Sequence, residues 1–87
     1  MKNITFSITF QDIAYLVRVS KNDALLPIHF TAFIFDDELR TKYGELIFQR
    51  KNHQSPIEPT FSNSAEEVEL KEVILKKIMH NIKTFIH

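Results

Sequence analysis

The sequence predicts an α+β fold: a four-stranded antiparallel meander with one long C-terminal amphipathic helix packed on one face, in the order ββββα. Three observations predict it. Between residues 3 and 51, four short segments place apolar residues at every second position, the period of a half-buried strand. From Ala65 onward the apolar period becomes helical. Residues 52–63 follow neither period and contain Pro56 and Pro59, which marks them as a loop. The 87 residues are expected to form a single domain.

The first segment, Asn3 to Phe10, alternates almost without fault. Ile4, Phe6, Ile8 and Phe10 share one face; Asn3, Thr5, Ser7 and Thr9 share the other. Gln11 and Asp12 stand where a two-residue hairpin turn belongs. Such a turn pairs Phe10 with Ile13. In the second segment, Ile13 to Ser20, Tyr15, Val17 and Val19 then join the apolar face, and Leu16 and Arg18 fall opposite.

Lys21 to Asp23 is turn chemistry, and Pro27 marks the entry to the third strand, Ile28 to Phe35. That strand is apolar on both sides. Ile28, Phe30, Ala32 and Ile34 alternate with His29, Thr31, Phe33 and Phe35. Asp36 to Gly44 breaks it with charge, over a length that suits an open loop or a single helical turn. Glu45 to Lys51 alternates again, with Leu46 and Phe48 on one face and Ile47 on the other. Short connections make consecutive strands neighbours, in the order 1-2-3-4.

The helix is expected over about residues 65–86. Ser64 and Glu67 form a capping box. Glu66, Glu67, Glu69 and Glu72 come early, and Lys76, Lys77 and Lys83 late, as the helix dipole favours. Glu67–Lys71 and Glu72–Lys76 are i,i+4 pairs in the favourable order. Val68, Ile74, Leu75, Ile78, Met79, Ile82, Phe85 and Ile86 fall within about 140° of arc. Such a helix spans roughly 30 Å, enough to cross the sheet over Ile4, Phe6, Ile8, Phe10, Tyr15, Val17, Phe30 and Phe48.

Composition narrows the function classes. Cysteine is absent, so disulfides and thiolate metal sites are excluded, and a reducing compartment is favoured. The start, MKNITFSITF, lacks the apolar run of a signal peptide, and no segment has the ~18 apolar residues of a membrane span. A cytoplasmic protein with no membrane partner is expected. Eleven basic residues balance eleven acidic ones, without the basic excess of a nucleic-acid binder. Apolar residues make up 44%, with eight phenylalanines, so a packed core is expected.

No catalytic, cofactor-binding or metal-binding residue is assigned. His80 and His87, two helical turns apart, are ~10 Å from one another along the helix, too far to share a metal ion. His29 and His53 read as surface residues. Asp36, Asp37 and Glu38 lack the spaced oxygens and the glycine of a calcium loop. Phosphate loops, G-x-S-x-G and H-E-x-x-H are all missing from the sequence. Neither an enzyme nor a small-molecule ligand is expected.

A surface remains. One helix covers one sheet face, which leaves Leu16, Phe33, Phe35 and Ile47 together on the other. This is the candidate interaction face for a second copy or another protein, with an edge strand as the other route to self-association. Lys2, Arg18, Lys21, Arg50 and Lys51 gather toward one end of the meander. Beside exposed aromatics, that basic end would support weak binding of single-stranded nucleic acid.

Overall fold

The computed structural model describes residues 2–24, 26–52, 54–60, 62 and 64–81. Its elements are β1 (Lys2–Phe10), β2 (Ile13–Asn22), β3 (Ile28–Ile34), α1 (Asp37–Tyr43), β4 (Leu46–Arg50), β5 (Glu58–Pro59) and α2 (Ala65–His80). The strands form one antiparallel sheet in the order β1-β2-β3-β4-β5. The α+β class, the meander and the C-terminal helix match the sequence reading. The sheet has five strands rather than four.

The fifth strand lies inside the expected loop. Ile57 is buried and anchors the chain in the core. The next residues pair with β4, Glu58 with Gln49 and Pro59 with Phe48. Thr60 closes the contact, its N–H and Oγ1 donating to the Ile47 carbonyl at 3.1 and 2.9 Å. Pro59 lacks a ladder donor and sits on an edge strand, where that lack is tolerated.

Gln11 and Asp12 do form the first turn, with φ of 51° and 66°. Positive φ at both central residues is the type I′ geometry that matches the twist of a hairpin. The register is as expected: Phe10 opposite Ile13, Phe6 opposite Val17, Ile4 opposite Val19. Onward, Val17 pairs with Ile34, Val19 with Ala32, Phe30 with Phe48 and Ala32 with Leu46. Ile8, Phe10, Val17, Val19, Ile28, Phe30, Ala32, Ile34, Leu46 and Phe48 thus share the buried face.

Ser64 caps α2, its Oγ accepting from the Glu67 N–H at 3.2 Å. The described helix ends at His80, with Asn81 as C-cap. Residues 82–87 lie outside the described residues, and with them Ile82, Lys83, Phe85, Ile86 and His87. The buried side of α2 differs from the expected arc. Glu67, Leu70, Lys71, Ile74 and Ile78 face the sheet, whereas Val68 and Met79 are exposed. The inward face is rotated by about 60° from the arc that hydrophobicity alone selects. Two charged residues turn inward for a physical reason. The Lys71 stem packs as hydrocarbon while its Nζ donates to the Thr60 carbonyl at 3.1 Å, with the Glu67 carboxylate at 4.0 Å.

Candidate interaction surface

The stretch Asp36 to Gly44 builds one wall of the open face. Asp36 is the N-cap of α1, its carboxylate accepting from the Leu39 N–H at 3.0 Å. Asp37 and Glu38 occupy the first turn, and Arg40 and Lys42 the last, each on the side the helix dipole favours. Gly44, at φ +70°, ends the helix, its N–H donating to the Arg40 carbonyl at 2.8 Å. Leu39 is buried in the core and fixes the roll of the helix. Arg40, one position on, is thereby carried over the open face of the sheet.

Phe33 receives it. Register places Phe33 opposite Arg18 on the face away from α2. The Arg40 guanidinium lies 4.6 Å from the Phe33 ring centroid, and that of Arg18 lies 5.3 Å away. Arg18 also reaches the Phe35 ring at 5.7 Å. Phe33 and Phe35 meet edge to face, with centroids 5.0 Å apart. Beyond the last residue of β3, the Phe35 N–H donates to the Leu16 carbonyl at 2.9 Å, which holds Leu16 and Phe35 side by side. Ile47 pairs with Thr31, one strand over and two residues along from Phe33. Leu16 and Phe35 are each 47% exposed and Ile47 38%, while Phe33 is half-buried. The four expected residues do share the open face. Arg40 belongs with them, and it ion-pairs with Asp37 while donating to the Ile34 carbonyl at 3.3 Å.

The five basic residues do not form one surface. Pairing of Lys2 with Lys21, and of Arg50 with Ile28, does put those residues at a common end. Lys21, however, is only 6% exposed on the helix-covered side, beside Asp23 at 3.5 Å. Its strand position assigns it to the covered face, because it shares the parity of Val17 and Val19. Arg50 is half-buried with the same parity as Phe48, whereas Lys51 is exposed. Arg18 stands on the open face among the aromatics. A cleft of about 730 Å³ opens at this end, lined by Pro27, Arg50, Lys51 and Glu58 among others.

A polar cluster joins the two helices. Lys42 Nζ and the Tyr43 hydroxyl both donate to the Glu66 carboxylate, at 2.9 and 2.8 Å. The hydrogen bond from Lys42, then that from Tyr43, holds Glu66 below its ordinary range. Lys42 is raised, first by the hydrogen bond to Glu66. Tyr43 is raised by partial burial and then by the same carboxylate.

Among the described residues no three His, Asp or Glu side chains are placed to hold a metal ion. His29 and His80 are exposed, and His53 lies outside the described residues. No helix among the described residues is long and apolar enough to cross a membrane. Comparison with protein-family models, curated proteins and solved structures finds no match to the chain.

Proposed function

We propose that the chain is a small non-enzymatic protein–protein interaction module that self-associates through its sheet, by the open face or an edge strand. One observation carries the reading: a single sheet face holds Leu16, Phe33, Phe35 and Ile47 with no layer of structure over it among the described residues. Apolar groups gathered in this way mark a contact surface. A second copy is the simplest occupant, since two-fold homodimers are the commonest assembly. A lasting interface would bury about 1,200 Å² or more in total. Phe33→Lys separates the two routes. Phe33 points away from the core, so the variant should remain folded. A monomeric variant assigns association to the face, and a dimeric one to an edge.

The second reading is weak binding of single-stranded nucleic acid on the same face. The stacking of Arg18 and Arg40 on Phe33 supports it, because aromatic rings beside guanidiniums suit bases and phosphates. A fluorescently labelled oligonucleotide tests it. Phosphate contacts predict affinity that falls steeply with salt and is lost in Arg18→Glu. Salt-independent binding, or binding that survives Arg18→Glu, contradicts this reading.

A further inference from the structure

The two edges of the sheet are built differently. β5 is two residues long and carries Pro59 and the charged Glu58. Short, proline-bearing and charged edges resist pairing with other chains. β1, at the opposite edge, is nine residues long. From Asn3 to Phe10 it has no proline, no glycine and no charged side chain. Among the described residues it pairs with β2 alone.

The outward groups of β1 follow from its turn. A two-residue hairpin makes Phe10 and Ile13 a hydrogen-bonded pair, and bonded pairs then alternate along the ladder. Ile8, Phe6 and Ile4 therefore bond to β2. Asn3, Thr5, Ser7 and Thr9 direct their N–H and C=O groups away from it.

Resting on the self-association reading above, we infer that β1 pairs antiparallel with β1 of a second copy, about a two-fold axis at Phe6. This register places Asn3 opposite Thr9 and Thr5 opposite Ser7, so every outward donor and acceptor of those four residues is used. It also places Ile4 opposite Ile8 and Phe6 opposite its own copy, with apolar side chains all on the helix-covered face and Asn, Thr and Ser on the other. Ile4 and Phe6 are half-buried at the margin of the core and would complete their burial against the second copy. Hydrogen-bond saturation and side-chain matching select the same register. The product is one continuous sheet with both α2 helices on one side and both Phe33 patches on the other.

Residue-resolved amide exchange on the intact chain, over a range of protein concentrations, tests this. The Ile4, Phe6 and Ile8 amides should be protected throughout. Those of Asn3, Thr5, Ser7 and Thr9 should be protected when concentrated and exchange roughly tenfold faster or more on dilution. Thr5→Pro and Ser7→Pro each remove one outward donor and spare the β1–β2 ladder, so each should be a folded monomer. Phe33→Lys should remain a dimer. A dimer whose four outward amides exchange freely overturns the β1 pairing but leaves self-association standing. A folded dimer of Thr5→Pro or Ser7→Pro, or a monomeric Phe33→Lys, also overturns the pairing alone. A monomer at all concentrations up to ~1 mM overturns both.

Discussion

The Arg40 guanidinium sits 4.6 Å from the centroid of the Phe33 ring, on the face of the sheet that α2 leaves uncovered. Arg18 approaches the same ring at 5.3 Å. The half-buried ring also meets Phe35 edge to face, with centroids 5.0 Å apart. An exposed cation–π contact is worth about 0.5–1 kcal/mol. Arg40→Ala should therefore cost about 1 kcal/mol in chemical denaturation, measured against the wild type. No measurable loss would mean that the stack contributes nothing.

The rotated face of α2 predicts a contrast between neighbouring positions. Ile78 is fully buried, whereas Val68 is 44% and Met79 50% exposed. Ile78→Ala should cost roughly 2–5 kcal/mol. Val68→Ala should stay within about 1 kcal/mol, as surface changes do. Equal costs at the two sites would restore the arc that hydrophobicity alone selects.

The first hairpin is not optimised at its turn. Gln11 and Asp12 both hold positive φ; this costs a residue such as Gln11 about 1–2 kcal/mol, whereas the short polar side chain of Asp12 tolerates it better. Replacing them together by Asn and Gly should raise stability by about 1 kcal/mol and leave the register intact. Thermal unfolding of the double variant reads this directly, and a lower melting temperature would contradict the turn type.

The link between α1 and α2 sets a pH dependence. The hydrogen bonds from Lys42 and Tyr43 hold the Glu66 carboxyl below its ordinary value of 4.5, so its contribution is present above that pH and is lost as pH falls through the lower folded value. Lys42 and Tyr43 are both raised, from 10.5 and 10.0, so their contributions hold below those values and are lost as pH rises beyond them. The melting temperature of Glu66→Gln should lie below the wild type near neutral pH, and the gap should close in acid below pH 4.5. A gap that is constant with pH would assign the difference to packing rather than charge.

Much of the fold is legible because alternation is a local signal. Ile4, Phe6, Ile8 and Phe10 declare their face without help from the rest of the chain, and the register follows from Gln11 and Asp12. The open-face set is legible for the same reason. β5 is not, since two residues carry no period and its pairing depends on Ile57 reaching the core. The face of α2 is misjudged by hydrophobicity because Lys71 enters the interior through its hydrocarbon stem and its bond to Thr60. Arg40 is missed for a different reason. The segment from Asp36 to Gly44, expected as an open loop or a single helical turn, forms the seven-residue α1. Its cap and charge order do not say which side of the sheet its last turn overhangs.

Sedimentation of the wild-type chain over a wide concentration range, at low and high salt, tests the central claim of self-association most directly. The chain has a mass of 10.3 kDa. A shift to twice that mass with rising concentration is expected, little changed by salt, because the proposed β1 pairing uses backbone hydrogen bonds and apolar contact rather than charge. A constant mass of one chain at every concentration up to ~1 mM would contradict it.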